Sequence, residues 1–291
     1  MKWDISICIV VMLISIVIIS AGAMADDSNE REVGGWSLDK YHGYENDLCA
    51  ANANVDQFYN KMGQYGWTKM VRWKDDDAWE SDFEDHERGG RDKWEADSVD
   101  LVYFCGHGNP WGIAFGTNHD GVPGGSNYFA ENVEIKWGDV DMEWIILDSC
   151  QVLQYKANNQ YCWQRWDNPS TYPYGSALTI HAGLHGIIGW HSVAVVYNCW
   201  NYGFESRGGL FADRINDHYN VWGSWNRATK QAKPWWDGTT YKAAIFYGKI
   251  YSGDTEILRY SNEDFGNPWK DPVWYEDHGY TIKLGYSSWN V

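Results

Sequence analysis

Apolar residues along this chain fall into short blocks divided by glycine-rich and polar stretches, and the spacing within each block predicts its structure. Over 50–66, Val55, Phe58, Tyr59 and Met62 recur at helical spacing and Gly63 and Gly66 end the pattern, which predicts a helix. Residues 67–73 then read as a strand. In the acidic stretch 75–87, Trp79 and Phe83 stand four apart, so a solvated amphipathic helix is expected; the spacing fits no EF-hand calcium loop. The run Val99-Asp100-Leu101-Val102-Tyr103-Phe104-Cys105 is a buried strand broken abruptly by Gly106-His107-Gly108. Residues 108–129, rich in Gly, Asn and Pro, read as a loop. A second buried strand, Trp144-Ile145-Ile146-Leu147, ends at Asp148-Ser149-Cys150, and a third apolar run spans 183–190.

Helices are expected over 204–219, with Leu210, Phe211, Ile215 and Tyr219 on one side, and over 224–233, with Ser224 as cap and Pro234 beyond the end. A strand over 243–251 precedes a β-rich tail with turns at Gly253, Gly266 and Gly285. Strands alternating with helices predict an α/β sheet covered on both faces. No repeat or low-complexity linker divides the chain. One domain over 26–291 is therefore expected, with a core at about 50–250 and extensions at both ends.

The amino terminus reads as an address. Lys2, an apolar run over 5–20 and Ala23-Met24-Ala25 form the basic start, apolar middle and small-residue end of a secretory signal peptide, 1–25. The alternative is an uncleaved anchor, since 5–24 is about the roughly 20 residues that span a bilayer. Either way an extracytoplasmic protein is expected, with no membrane contact beyond this segment. Composition narrows its partners: 40 acidic against 23 basic residues give a net charge of −17, which repels nucleic acid and anionic lipid. Twenty tryptophans, scattered without a period, are expected mainly in the core, with a peptide- or glycan-binding platform as the other use.

Of six cysteines, Cys8 leaves with the signal and an odd set stays behind: Cys49, Cys105, Cys150, Cys162 and Cys199. Exported proteins tend to pair their thiols, so one is left over. In an open α/β sheet, functional groups converge at the carboxyl ends of central strands. Two such ends here carry His107 and Cys150. An imidazole beside a thiol can take its proton and later protonate a departing amine, which is the chemistry of a Cys-His dyad. Gly108 leaves backbone room beside the histidine, where its N–H and that of Cys150 can hold an oxyanion. With Cys150 free, Cys49, Cys105, Cys162 and Cys199 are left to form two bridges in any of three pairings. His181 and His185 have the spacing of a helical zinc pair, but Gly183, Gly186 and Gly189 argue against a helix there. Asn118-His119-Asp120-Gly121 is either a calcium-ligating segment or an ordinary turn. No phosphate loop, dinucleotide fingerprint or serine nucleophile elbow is present.

The blocks Tyr103-Phe104-Cys105-Gly106-His107-Gly108 and Ile145-Ile146-Leu147-Asp148-Ser149-Cys150 resemble the His-Gly and Ala/Asp-x-Cys blocks of caspase-like (clan CD) cysteine peptidases. Downstream, Ala182-Gly183-Leu184-His185-Gly186-Ile187-Ile188-Gly189, Gly208-Gly209-Leu210-Phe211 and Ser224-Trp225-Asn226-Arg227-Ala228 are similar to segments of the gingipain and CHAT branches. The resemblance implies a three-layer αβα caspase-haemoglobinase-like sheet, here with a β-rich carboxyl-terminal elaboration. It further implies Cys150 as nucleophile, His107 as general base and acid, and Gly108 with Cys150 as the oxyanion hole. The substrate-binding segment would then be Trp190-His191-Ser192, which departs from the better-known members and leaves specificity open. Asp148 is also a departure, and its charge is expected to raise the Cys150 thiol pKa. The function implied is an exported cysteine peptidase acting on a peptide or protein, with no cofactor and no metal. The alternative is a catalytically silent surface module that binds a peptide or glycan on the same fold.

Overall fold

The computed structural model describes residues 31–43, 45–116, 128–172, 175, 177–195, 205–234, 236–265, 270 and 272–291. The signal segment, the candidate calcium segment at 118–121, Cys199 and Gly266 lie outside them. Among the described residues no helix is long and apolar enough to cross a membrane.

Eight strands build the main sheet: β1 (Glu32–Ser37), β2 (Thr68–Lys74), β3 (Leu101–Cys105), β4 (Trp144–Asp148), β5 (Gly186–Trp190), β6 (Lys242–Ser252), β7 (Thr255–Arg259) and β8 (Thr281–Asn290). Their order is β7-β6-β5-β4-β3-β1-β2, and β8 pairs with β6 as well. From β2 to β5 all neighbours are parallel, and β6 joins them antiparallel. The three central strands β3, β4 and β5 are buried at every position, as expected of parallel strands covered on both sides. The β-rich end of the chain is β6 to β8.

One face is covered by helices α1 (Ala51–Gln64), α3 (Arg207–Asn216) and α4 (Val221–Ala232); the other carries the short α2 (Cys162–Trp166), and α5 (Pro272–Asp277) packs on β8. Tyr103 of β3 points to the first face, its ring 4.8 Å from Phe58 of α1, and Phe58 in turn lies 6.2 Å from Phe211 of α3. Phe104, the next residue, points the opposite way, 5.7 Å from Phe83 and 5.5 Å from Phe115. Trp137 and Trp166 continue that second core layer. Trp36, Trp137, Trp144, Trp166, Trp190 and Trp225 are fully buried, so part of the tryptophan content is core, whereas Trp73, Trp94, Trp222, Trp236 and Trp274 are exposed.

Several local expectations are corrected. Residues 75–87 form three separate 3-10 turns, Asp75–Asp77, Glu80–Asp82 and His86–Arg88, instead of an amphipathic helix. The aspartates bond backbone N–H groups outside a helical ladder: Asp75 accepts from Asp39 and Lys40, and Asp85 from Glu87. That competition is why Asp disfavours helix interiors. The loop over 108–129 contains a small antiparallel sheet of Gly108–Asn109, Gly112–Ala114 and Phe129–Glu131. Helix α4 begins earlier than expected, capped by the Asn220 side chain on the Gly223 N–H at 2.7 Å, so Ser224 lies inside it. Gly253 does turn, with φ +59°, but Gly285 lies within β8, where a Cβ would come 2.6 Å from the Tyr247 ring.

Buried acids in the second layer make stability depend on pH. Burial pushes Asp82 up from 3.8 to about 7, against hydrogen bonds donated by the Trp79 N–H and the Trp36 indole. Below both values the group is protonated in either state and contributes nothing. Between about pH 4 and pH 7 the folded protein holds a proton that the unfolded chain has lost, so stability falls as pH rises, then levels off. Asp82→Asn keeps the acceptor without the charge. Its unfolding midpoint should match wild type near pH 4 and exceed it increasingly up to about pH 7; an offset that is constant across the range would contradict this.

Candidate active site

Parallel pairing sets Cys105 of β3 beside Asp148 of β4, so His107 and Cys150 each follow two residues beyond paired positions of adjacent strands. The two loops touch: a Cβ on Gly108 would come 2.8 Å from Ser149 Cβ and 3.1 Å from Val152 Cγ1, so only glycine permits this approach. The small sheet beside it is in a spacing where the Ala114 N–H donates to the His107 carbonyl, which leaves the Gly108 N–H out of that ladder.

His107 is held by backbone and ring contacts. Its N–H donates to Tyr41 Oη at 2.7 Å, and the Tyr41 ring lies 4.7 Å from the imidazole. The Nε2 atom stands 2.7 Å from the Asn46 carbonyl. A carbonyl only accepts, so Nε2 carries the proton and Nδ1 is the basic nitrogen of the neutral ring. Cys150 is half-buried and its thiol donates to the Ala194 carbonyl at 3.6 Å. Among the described residues no hydrogen bond joins His107 to Cys150. The next residue, Gln151, has φ +58°, a left-handed conformation that costs a non-glycine residue on the order of 1 kcal/mol. Its N–H donates to the Ser192 carbonyl and that of Leu153 to the Trp190 carbonyl, both at 2.9 Å. The turn after Cys150 is thus fastened to the end of β5.

Asp148 lies directly beneath. Its Oδ2 accepts from Asn54 Nδ2 at 2.8 Å, Tyr103 Oη at 3.0 Å and Arg207 Nε at 3.0 Å. Its Oδ1 accepts from the Trp190 indole at 2.8 Å and Arg207 Nη2 at 2.9 Å. Arg207, the first residue of α3, is buried over the Trp190 ring at 4.6 Å and also donates to the Val195 carbonyl. Burial pushes the Cys150 thiol up; Asp148 adds to the rise and Arg207 opposes it. The expected effect of Asp148 is present, but its partner, Arg207, was not anticipated.

Among the other expected site residues, Trp190 is corrected. It is 1% exposed and bonded to Asp148, so its side chain offers no surface to a substrate. His191 is half-buried, its Nδ1 2.7 Å from Tyr286 Oη and 3.3 Å from the Tyr155 N–H, and the half-buried Ser192 borders the Cys150 turn through its carbonyl. His181 and His185 bond separate carboxylates, Asp167 and Glu263, and do not converge. The two-bridge arrangement is also corrected: Cys105 and Cys162 are buried free thiols, whereas Cys49 is disulfide-bonded. Burial raises Cys162 to about 12 and pushes Cys105 well above its ordinary value, which leaves both inert. Of the free thiols among the described residues, only Cys150 is accessible.

Residues 35–266 match the family described as a domain of unknown function, DUF6345. The chain belongs to that family. No curated protein matches it. Among solved structures, this DUF6345 member is similar to the complex of Porphyromonas gingivalis RgpB pro- and mature domains, at 13% identity and a TM-score of 0.37, over 92% of this chain and 71% of that one. It is also similar to the Arg-specific cysteine proteinase gingipain R, at 11% identity and a TM-score of 0.37, over 92% and 69%.

Breaking a buried ion pair strands the surviving charge, at about 3–5 kcal/mol. Arg207→Met in this DUF6345 domain should therefore lose stability on that scale in denaturant unfolding, and adding Asp148→Asn should restore part of it. A loss in Arg207→Met below about 1 kcal/mol would show that the pair does not support this end of the sheet.

Proposed function

We propose that the protein is an exported cysteine peptidase in which Cys150 attacks a peptide carbonyl and His107 moves the proton. The observation that carries this reading is the joint arrangement of two strand ends: an accessible thiol on a strained turn, against a His-Gly loop packed too closely for any residue but glycine. In the proposed reaction His107 Nδ1 takes the Cys150 proton as sulfur bonds the substrate carbonyl carbon. The Gly108 and Cys150 N–H groups receive the oxyanion. His107 then protonates the departing amine as the C–N bond breaks, leaving an acyl-enzyme that water hydrolyses by the reverse use of the same base. No cofactor enters.

A second reading has its own support: the resting hydrogen bonds of His107 and Cys150 run to Asn46 and Ala194, not to each other. That arrangement also suits a silent module, with Tyr155, Tyr161 and Trp163 clustered after the Cys150 turn as an aromatic contact surface.

Labelling by a peptide-linked thiol electrophile, read by intact mass, separates the two. The peptidase reading expects a single adduct, absent in Cys150→Ala, with labelling and peptide hydrolysis both slowed about 10²–10⁴-fold in His107→Ala. Labelling unaffected by His107→Ala, together with peptide hydrolysis equal in wild type and Cys150→Ala, would overturn it in favour of the binding module.

A further inference from the structure

At the opposite end of β3 and β4 from His107 and Cys150, Asp92, Asp97 and Asp139 each bring a carboxylate oxygen within 4.8 Å of the others. Asp97 sits in the turn leading into β3, Asp139 in the loop leading into β4, and Asp92 in the neighbouring turn layer. Both Asp92 and Asp97 are fully buried. The Gly138, Val140 and Met142 N–H groups donate to Asp97, at 2.9, 3.2 and 3.1 Å, and so fix it against the Asp139 loop. Asp92 Oδ1 accepts from the His86 and Lys93 N–H groups at 2.9 and 2.7 Å and lies 3.2 Å from His86 Nδ1.

Asp92 Oδ2 is buried without a hydrogen-bond partner. Asp139 Oδ1 is buried as well, and without a metal the Asp139 carboxyl can bond Asp97 only through a shared proton. A buried carboxylate oxygen without a donor is costly, and three carboxyl groups within 4.8 Å of one another add mutual repulsion when ionised. The neighbouring cation Lys136 is 2.8 Å from Asp139 Oδ2, and His86, which pairs with Asp92 Oδ1 when protonated, leaves Asp92 Oδ2 without a partner. What is missing is positive charge that accepts oxygen ligands from several directions.

We propose that Asp92, Asp97 and Asp139 hold a calcium ion that ties the turn layer to the roots of the two strands bearing His107 and Cys150. The donor set is oxygen alone, which suits a hard cation and not zinc or copper. Calcium bonds oxygen at about 2.3–2.6 Å, so two of its ligands can stand up to about 5 Å apart, a limit that the whole trio meets. Magnesium requires shorter bonds in a near-ideal octahedron and gives up its water reluctantly. The neighbouring carboxylate, Asp85, is engaged elsewhere, by the Glu87 N–H and the Tyr172 hydroxyl. The ion is a brace, remote from the reacting atoms, and the proposal stands whether or not the protein is a peptidase.

Thermal unfolding of the purified protein, stripped with chelator and titrated with calcium chloride, tests this. At about 100-fold excess over the dissociation constant the midpoint should rise by about 5–10 °C, while magnesium gives at most a small part of that rise. Asp92→Asn and Asp139→Asn, both isosteric, should fold without calcium and lose the rise. Asp139, at the edge of the cluster, serves if the buried variant does not fold. No shift in wild type up to about 10 mM calcium, beyond the weak end of known protein sites, would overturn the proposal. So would an equal shift with magnesium, or a calcium shift that persists in the variants.

Discussion

A carboxylate buried at the end of a central strand has no water to solvate it and must be neutralised where it stands. Arg207 does this for Asp148, and much of the surrounding architecture follows from that pairing. To reach Asp148, the first turn of α3 has to sit over β4. Gly208 makes the approach possible, since a Cβ there would come 2.5 Å from the Asn54 carbonyl of α1. Asn54 completes the arrangement by donating to Asp148 and accepting the Gly208 N–H, which locks α1 and α3 together. The Trp190 indole joins β5 to the same carboxylate, and the outer guanidinium nitrogens hold the Val195 carbonyl, one residue beyond the Ala194 carbonyl that receives the Cys150 thiol. A single ion pair therefore links two helices, three strands and the segment beside the candidate nucleophile.

The two faces of the sheet are stabilised differently. On the side of α1, α3 and α4, repeating helical faces supply the apolar cover. On the other, short turns expose too little continuous apolar surface, and large aromatics fill the space: Phe83 lies within 6.0 Å of Trp36, Phe104, Phe115 and Trp137. Turns leave many backbone groups outside regular ladders, and buried acids bond them, as Asp97 does for the 138–142 loop and Asp167 for the Thr179 and His181 N–H groups. The buried part of the acidic and tryptophan content thus has a common structural origin.

How far the sequence revealed this depended on whether a signal was periodic or pairwise. Helix α1 and strands β3, β4 and β6 were legible because each depends on its own hydrophobic pattern. Strand β1 was not, because Gly34-Gly35 erases its alternation; yet a Cβ at Gly35 would meet Val55 of α1 at 2.7 Å, so tertiary contact dictates the weak local signal. The positions of His107 and Cys150 were readable as strand ends. Their partners were not: Asn46, Ala194 and Ser192 contribute backbone carbonyls, which carry no side-chain signature, and Tyr41 reaches across 66 residues. Arg207 did leave a trace, a charge at the start of an apolar helix next to two glycines, but nothing in its spacing points 59 residues back to Asp148. Trp190 was misplaced because an indole beside a strand end looks the same whether it faces a ligand or a buried acid.

For the proposed acyl transfer, the resting electrostatics constrain the order of events. A thiol held up by burial is neutral at ordinary pH, so no thiolate–imidazolium pair stands ready. A bound substrate excludes further water and deepens that penalty, and Arg207 cannot compensate, because both of its charged edges are committed to Asp148 and Val195. A free thiolate is thus the costly species at this site. The pathway that avoids it transfers the proton to His107 Nδ1 as the sulfur–carbon bond forms, so negative charge appears first on the substrate oxygen, where backbone N–H groups can receive it. On this account the Asn46 carbonyl matters as much as the imidazole: by fixing the proton on Nε2, it keeps Nδ1 open as the base.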